Sequence, residues 1–291
     1  AWARLMTKYI GADKDIPAPD VYTNGQIMGY ILNEYEKITG CSEPGMITGK
    51  PISIVRSLGR DTATAQRGVY VLNNLIKILK KDRKKLRVSI QGFGNAGFTM
   101  AELLYDLGYK IVGASDSKGG IYMKDGFDPR VVMKVKETKG SVVNYKAVGI
   151  KIITNEQLIE SDCDILVPAA LDNQIRMDNA KKVKASIVFE LANGPTTPEA
   201  DKILESKKVT IVPDVLSNAG GVTVSYFEWT QNISGYYWTT EEVFEKLELI
   251  MTKSFNDIWE MSKKKKISLR DASFTIAVKR IVEPTTANGI I

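Results

Sequence analysis

The sequence has 291 residues, of which 44% are hydrophobic, so it is long enough for two domains with separate cores. No run approaches the ~18 consecutive apolar residues of a membrane span, and the N-terminus lacks a signal pattern, which predicts a soluble cytoplasmic protein without membrane partners. The net charge of +6 is concentrated in residues 80–87 and 263–266, where no aromatic residues interleave. We therefore expect lysine-rich helix ends rather than a nucleic-acid surface.

Two residue types restrict the chemistry. Histidine is absent, which excludes a Ser-His-Asp triad and any metal site that needs imidazole, and we predict no metal site. Acid–base catalysis would then depend on Asp, Glu, Lys, Tyr or Cys. Cys41 and Cys163 are isolated in the sequence, which is typical of a reducing compartment.

The first 45 or so residues predict a helix, a loop and a second helix. Thr23 or Asn24 is a suitable N-cap for a helix that runs to about Ile38. Residues 46–58 predict an extended linker. A long helix is expected from about residue 61 to 79.

Short apolar strands alternate with helices over residues 86–212. We expect strands at 86–90, 109–115, 165–167, 185–189 and 209–212, helices that include 155–161 and 197–206, and a small hairpin at 119–126. This alternation predicts an α/β fold with a parallel, doubly wound sheet and flanking helices. From Asn218 onward the pattern is helical only, with helices at 214–232, 240–262 and 268–284 whose apolar stripes predict core packing.

Residues 91–97 (QGFGNAG) lie between a predicted strand and a predicted amphipathic helix. In this context Gly92 permits a tight turn, Gly94 lets the backbone approach a pyrophosphate, and Gly97 lets the helix pack closely. The phosphates would rest on the helix N-terminus, where N–H groups and the dipole attract anions. A second strand ends at Asp116, about 20 residues later, where such folds place the carboxylate that binds the adenosine ribose. This order of strand, glycine-rich turn, helix, second strand and carboxylate predicts a Rossmann-type dinucleotide site.

The preferred dinucleotide is open to two interpretations. Asp116 suits the free ribose diol of NAD, whereas Ser117 and Lys118 would suit the 2′-phosphate of NADP. The sequence favours NAD, with NADP as a second cofactor.

Three polar segments at helix starts are candidate sites. Asp20 follows a rigid Pro-Ala-Pro turn, which suits an aimed carboxylate, although an acid near a helix start explains it equally well. Arg60 and Thr64 lie four apart at the start of the long helix, where capping and a solvated arginine are the simpler interpretation. Asn218 precedes paired glycines that permit close backbone approach, and Ser225 lies two turns on; a helix–helix contact through glycine is the alternative.

Taken together, seven segments resemble the glutamate dehydrogenases of the amino-acid dehydrogenase superfamily. They are DIPAPDVYT (15–23), TGKP (48–51), SLGRDTAT (57–64), QGFGNAG (91–97), SDSKGGIY (115–122), ANGPTTPEAD (192–201) and NAGGVTVSYFEW (218–229). The resemblance implies reversible oxidative deamination of L-glutamate to 2-oxoglutarate and ammonia with NAD(P). Hydride would pass from the substrate Cα to nicotinamide, and water would attack the resulting imine. The resemblance also implies closed homo-oligomers, usually hexamers.

The resemblance further implies individual roles. Asp20 matches the aspartate that shuttles protons to and from the amino group, and Asn218 matches a residue near the substrate α-carboxylate. Ser225 matches the contact to the side-chain carboxylate, which favours glutamate over branched or aromatic substrates, and Val222 joins the substrate-binding set. The implied cofactor-binding residues are Arg60, Thr64, Gly92, Phe93, Gly94, Asn95, Gly97, Asp116, Ser117, Lys118, Ala169, Asn193 and Asn218.

We expect residues 1–52 to be the C-terminal remnant of a substrate and oligomerisation domain, 53–225 to be the dinucleotide-binding domain, and 226–291 to be helices that return to the substrate domain. Three features depart from the family pattern. The catalytic and substrate-binding lysines of the family precede DIPAPD, before this sequence begins. Leu191 replaces a small residue, usually glycine, where its side chain would crowd the nicotinamide, and residues 54–56 replace a glycine-containing stretch. We therefore expect a fragment or an incompletely recorded polypeptide, whose 291 residues bind dinucleotide but turn over poorly.

Two alternatives remain open. A leucine, valine or phenylalanine dehydrogenase is one, and Ser225 argues against it. A catalytically silent dinucleotide-binding module is the other, favoured by the missing lysines and by Leu191.

Overall fold

The computed structural model describes residues 1–20, 22–54, 57–58, 60–218 and 220–290, without the side chains of residues 60–64. The chain divides into two compact units. The first combines Ala1–Ala63 with Gly220–Leu249, and the second combines Thr64–Ala219 with Ile250–Ile291. The boundaries expected from the sequence, 1–52, 53–225 and 226–291, stay a prediction.

Helices and short strands make up most of the described residues. The α-helices are α1 (Trp2–Met6), α2 (Gly25–Thr39), α3 (Arg60–Ile78), α4 (Asn95–Asp106), α5 (Pro129–Lys139), α6 (Asn155–Ile159), α7 (Pro198–Ser206), α8 (Asp214–Ser217), α9 (Gly220–Ser234), α10 (Thr240–Lys265) and α11 (Leu269–Ala287). The strands are β1 (Arg87–Gln91), β2 (Lys110–Asp116), β3 (Gly119–Tyr122), β4 (Lys151–Ile153), β5 (Ile165–Pro168), β6 (Ile187–Phe189) and β7 (Thr210–Val212). Single 3-10 turns lie at Pro44–Met46, Ile52–Ile54, Arg83–Lys85, Val142–Asn144 and Ala180–Lys182. Within the described residues, no helix combines the length and the apolar character that crossing a membrane requires.

The second unit contains a seven-stranded sheet in the order β4-β3-β2-β1-β5-β6-β7. The five strands β2, β1, β5, β6 and β7 run parallel. The side chains of β1, β2, β5 and β6 are almost continuously buried, as strands covered on both faces require. This arrangement confirms the predicted α/β fold with a Rossmann-type sheet and flanking helices.

The segment 119–126 differs from the prediction. It does not form a hairpin of its own, because β3 pairs antiparallel with β2 and its other edge pairs antiparallel with β4. The strand β4 was not predicted from the sequence; it has three residues, two of them exposed. Its apolar pattern is too short to be recognised locally, so its strand conformation depends on the pairing with β3.

The first unit has a small core beneath α2. Asn24 is the N-cap, since its side chain accepts from the Ile27 N–H at 3.1 Å, and Gly40 ends the helix with a left-handed φ of +70°. Met28 and Tyr35 are buried and pack with other apolar side chains of this unit. The predicted linker at 46–58 includes the 3-10 turn Ile52–Ile54, and residues 55 and 56 lie outside the described residues.

The C-terminal region is helical, as predicted, with one difference. The helix expected at 214–232 is two helices, α8 and α9, which end and begin on either side of residues 218 and 219. Of the apolar residues of α10 that were predicted to pack in a core, Val243, Leu247, Met251 and Phe255 are buried, whereas Ile250 is 39% exposed.

Candidate active site

The glycine-rich loop joins the carboxyl end of β1 to α4. Gly92 has a φ of +93°, and a Cβ there would lie 2.8 Å from the Ala169 backbone, so the turn requires glycine. A Cβ on Gly97 would lie 1.9 Å from the Gly92 carbonyl oxygen, so only glycine lets α4 approach the loop. Gly94 differs, because no atom lies within 4 Å of a Cβ built on it. The loop therefore has two glycines that the fold needs and one that opens onto free space.

Phe93 and Asn95 were predicted as cofactor residues. The Phe93 ring is fully buried and packs edge-on against the Phe98 ring, with 5.7 Å between the ring centroids. Phe93 therefore offers its backbone rather than its ring to a ligand. The Phe93 N–H donates to the Ser115 carbonyl at 2.7 Å, which fixes the loop to the end of β2. Asn95 begins α4 and is exposed.

Asp116 ends β2, and its carboxylate is oriented by three donors. Oδ1 accepts from the Lys118 N–H and the Ser141 hydroxyl, both at 2.9 Å, and Oδ2 accepts from the Val142 N–H at 2.8 Å. Asn155 donates to the Asp116 carbonyl at 2.9 Å, which also fixes the backbone. The carboxylate predicted to receive a ribose hydroxyl is thus held in one orientation.

A cavity of about 590 Å³ lies at this end of the sheet, within the second unit. It brings together six of the predicted cofactor residues and several residues that were not predicted. Its lining residues are Gln91, Gly92, Phe93, Gly94, Asp116, Ser117, Lys136, Gly140, Asn155, Glu156, Ala169, Ala170, Leu171 and Gln174. The predicted residues Asn95, Gly97, Lys118, Asn193 and Asn218 are not among these lining residues. The opening lies at the carboxyl ends of parallel strands, where ligands bind in open α/β sheets.

Lys136 is a member of this cavity that was not predicted from the sequence. Its half-buried side chain reaches back from α5, and Nζ donates to the Phe93 carbonyl at 2.5 Å. The ammonium group therefore lies beside the glycine-rich loop. Its position in an ordinary lysine-rich helix gave no local sign of this contact.

Asn193 and Asn218 form a second group in the same unit. The Asn218 amide donates to the Asn193 side-chain oxygen at 2.6 Å, so the structure brings these two predicted residues together. The next backbone N–H, that of Gly194, donates to the Asp214 carboxylate at 2.7 Å. The loop after β6 is therefore held by side chains from the region of α8.

A partly buried ionic network supports this loop. Arg270 of α11 contacts Asp201 at 2.5 Å, Glu190 at 2.7 Å and Asp214 at 3.4 Å. Burial lowers the pKa of Arg270, but its hydrogen bonds to Asp201 and Glu190 outweigh this effect and raise the pKa above the usual guanidinium value. Arg270 therefore remains a cation among three carboxylates. Its role was not predicted, because all three partners are distant in the sequence.

The expectation that Leu191 crowds the nicotinamide stays a prediction. The side chain is 5% exposed, and its Cδ1 lies 3.5 Å from a Cβ built on Gly68 of α3. Leu191 thus packs toward α3, where a glycine leaves room for it.

The first unit contains the predicted catalytic residue Asp20 and two of the three predicted substrate residues, Val222 and Ser225. Asp20 is exposed, and its backbone is closed into a turn by Thr23, whose hydroxyl accepts from the Asp20 N–H at 2.7 Å. Ser225 and Val222 lie on α9, one turn apart, and the Val222 side chain is 76% exposed. The predicted residues Arg60 and Thr64 lie in α3, and their side chains lie outside the described residues.

Within the first unit, the TGKP segment contacts both the segment before Asp20 and the helix α9. The Thr48 N–H donates to the Pro17 carbonyl at 3.0 Å, beside the Asp20 turn. The Lys50 ammonium is fully buried and donates to the Glu228 carboxylate of α9 at 2.7 Å. Lys50 therefore has a structural role, and its buried Nζ is not accessible to a substrate.

Comparisons with known proteins place this geometry in a family. The profile of the Glutamate/Leucine/Phenylalanine/Valine dehydrogenase family matches residues 57–289, and that of the Glu/Leu/Phe/Val dehydrogenase dimerisation domain matches residues 1–37. The chain is 46% identical over 290 residues to the cryptic catabolic NAD-specific glutamate dehydrogenase GudB of Bacillus subtilis, covering 100% of this chain and 67% of that protein. It is 48% identical over 288 residues to the NAD-specific glutamate dehydrogenase of Staphylococcus aureus, covering 99% of this chain and 69% of that protein.

Solved structures of glutamate dehydrogenases also match this chain. A hetero-hexameric glutamate dehydrogenase of Thermus thermophilus, solved with leucine bound, matches with a TM-score of 0.91 and 31% identity, covering 100% of this chain and 68% of that chain. Glutamate dehydrogenase of Peptoniphilus asaccharolyticus matches with a TM-score of 0.87 and 35% identity, covering 100% and 69%. The chain thus spans about two thirds of the length of these relatives, and it belongs to the Glu/Leu/Phe/Val family of amino-acid dehydrogenases.

Proposed function

We propose that the protein is an NAD-dependent glutamate dehydrogenase, which converts L-glutamate reversibly to 2-oxoglutarate and ammonia. The observation that carries the proposal is the cavity at the ends of β1 and β2, which combines the open Gly94 position with the oriented Asp116 carboxylate. The names of the B. subtilis and S. aureus relatives, at 46% and 48% identity, support both glutamate and NAD.

The residues of the cavity fit a dinucleotide. Gly94 is the N-cap of the 12-residue helix α4 and contributes no side chain there, so the helix N-terminus opens toward the cavity. Helix N-termini attract phosphate through their N–H groups and dipole. The anionic Asp116 accepts a ribose hydroxyl but repels a 2′-phosphate, which favours NAD over NADP.

Each candidate residue would have a separate task. When bound, the nicotinamide would take the hydride from the substrate Cα. The exposed Asp20 carboxylate would carry protons between the substrate nitrogen and water, on a backbone that Thr23 holds in a turn. The Ser225 hydroxyl would donate to the substrate side-chain carboxylate, and the Asn218 amide would lie near the α-carboxylate.

A substrate and cofactor panel tests the proposal. Full-length protein would be assayed with glutamate, leucine, valine and phenylalanine, each with NAD and with NADP, by the absorbance of the reduced nicotinamide. We expect turnover with glutamate and NAD to exceed every other combination. Preference for a branched or aromatic amino acid would overturn the substrate assignment, and preference for NADP would overturn the cofactor assignment. NADH binding without any turnover would indicate a silent dinucleotide-binding module. The same assay on the 291 residues alone measures the slow turnover expected from the sequence.

Ser225 provides a sharper test of the substrate. Ser225→Ala should lower kcat/KM for glutamate about 10- to 100-fold, because a hydrogen bond to a charged group is worth roughly 1.5–3 kcal/mol. Activity with leucine should be unaffected. Ser234→Ala, which removes the same atom further along α9, is the matched control. Equal losses with glutamate and leucine would remove the assigned role of Ser225.

We also propose a cytoplasmic homo-oligomer, with a hexamer as the expected state. The hetero-hexameric assembly of the T. thermophilus relative supports a hexamer, and the free cysteines Cys41 and Cys163 support a reducing compartment. Light scattering on the full-length protein would measure the assembly, and cell fractionation would measure the compartment.

A further inference from the structure

The loop after α5 places a buried hydroxyl against Asp116. Gly140 ends α5 in the left-handed conformation, with φ of +81°, and its N–H bonds to the Lys136 carbonyl. This turn brings Ser141 and Val142 to the end of β2. Both residues are fully buried.

Ser141 is a donor to Asp116. An ionised carboxylate only accepts hydrogen bonds, so the Ser141 hydroxyl donates its proton to Asp116 Oδ1, at 2.9 Å. The hydroxyl oxygen accepts in turn from the Val143 N–H at 3.3 Å. Ser141 therefore connects the 3-10 turn Val142–Asn144 to the carboxylate that faces the cavity.

The three donors leave one direction for a ligand. A carboxylate has about four acceptor positions. Among the described residues, Lys118 and Ser141 occupy two on Oδ1, and Val142 occupies one on Oδ2. The remaining position is on Oδ2. A ribose hydroxyl that donates to it meets a carboxylate that cannot rotate without breaking a hydrogen bond inside the protein.

We propose that Ser141 is a positioning residue for cofactor selection: its hydroxyl locks Asp116 in the orientation that receives the adenosine-ribose 2′-hydroxyl, and so favours NAD over NADP. This inference rests on the proposed function, because it needs a dinucleotide in the cavity. Without the Ser141 hydroxyl, only the Lys118 and Val142 N–H groups hold Asp116, and the carboxylate leaves the orientation that receives the ribose more readily. The 2′-hydroxyl then loses its acceptor, and a 2′-phosphate meets less repulsion.

The test measures cofactor binding rather than turnover. Full-length wild-type protein and the variants Ser141→Ala and Ser141→Thr would be titrated with NADH, NADPH and an NADH analogue that lacks the 2′-hydroxyl of the adenosine ribose, followed by nicotinamide fluorescence. Ser141→Thr retains the hydroxyl and is the matched control. Melting curves would establish that each variant is folded, and Ser141→Cys, which is nearly isosteric and a weak donor, replaces the alanine variant if that variant unfolds.

We expect Ser141→Ala to weaken NADH binding about five- to tenfold, in line with loss of one of three hydrogen bonds to a charged group. Binding of the 2′-deoxy analogue should change less than about twofold, and the preference for NADH over NADPH should fall. Ser141→Thr should resemble wild type. Equal weakening of NADH and the analogue would show that Ser141 only supports the fold, and unchanged NADH binding would show that it has no role; either result overturns the inference. Wild-type protein that binds neither dinucleotide would instead overturn the proposed function itself.

Discussion

Replacing two glycines of the loop by alanine should have different effects. Gly97→Ala should reduce stability, whereas Gly94→Ala should reduce dinucleotide binding. Gly97→Ala introduces a Cβ only 1.9 Å from the Gly92 carbonyl oxygen, so α4 and the loop must separate by more than an ångström. Overpacking of this kind costs about 3 kcal/mol when the obstructing atom is backbone. Alanine regains about 1 kcal/mol of helix propensity inside α4. The net loss of about 2 kcal/mol corresponds to a decrease in Tm of about 4–8 °C for a unit of this size.

Gly94→Ala should act on binding alone. Its backbone, with φ −83° and ψ −165°, is accessible to alanine, and no atom lies within 4 Å of the new methyl group. Stability should therefore change by less than about 1 kcal/mol. The methyl group would, however, occupy the space in which a pyrophosphate approaches the backbone. NADH affinity should fall at least about tenfold, which is about 1.4 kcal/mol.

Calorimetry and NADH fluorescence titration on the two variants provide the assay, with each variant serving as the control for the other. A decrease in Tm for Gly94→Ala as large as that for Gly97→Ala would contradict the assignment of open space at Gly94. Unchanged NADH binding by Gly94→Ala would contradict the placement of the phosphates.

Three further predictions concern buried groups. Lys50→Met should destabilise the protein by about 3–5 kcal/mol in urea unfolding, since it removes the buried cation that donates to the Glu228 carboxylate, and the double replacement Lys50→Met/Glu228→Met should recover much of the loss. Leu191→Gly should cost about 2–5 kcal/mol of stability yet change the NADH dissociation constant less than about twofold, because the side chain packs toward α3. A large change in NADH affinity would show instead that the Leu191 side chain contacts the cofactor. Burial raises the pKa of Cys163 from 9.0 to about 11, so its stabilising contribution is complete below about pH 9 and is lost as the pH rises through about 11. Cys163→Ala should flatten this alkaline loss of unfolding free energy, and a thiol reagent should label only the exposed Cys41 in the native protein.

Local patterns predicted the part of the site that depends on neighbours in the chain. The β1 strand, the glycine-rich turn and α4 were predicted because apolar periodicity and glycine spacing act over a few residues. Asp116 was predicted from its distance along the chain. The N-cap Asn24 was among the two candidates for the same reason.

The parts that were missed depend on long-range contacts. Ser141 lies 25 residues from Asp116, and Lys50 lies 178 residues from Glu228, so neither pair leaves a local pattern. The packing of Leu191 toward Gly68 was missed for the same reason. A side chain beside a predicted ligand has several directions open to it, and here Gly68, on a different helix, provides the space that it fills.

On the cofactor side, the carboxylate that faces the cavity, Asp116, is oriented by a buried polar partner behind it. This partner is Ser141, which is fully buried and donates to Asp116. Because an unsatisfied buried polar group costs about 1–3 kcal/mol, the partner keeps its contact and the ligand-facing group keeps its direction. Replacing a ligand-facing group should therefore reduce binding with little effect on the fold. Replacing a supporting partner should reduce discrimination between cofactors and stability together, and this difference separates the two kinds of residue by experiment.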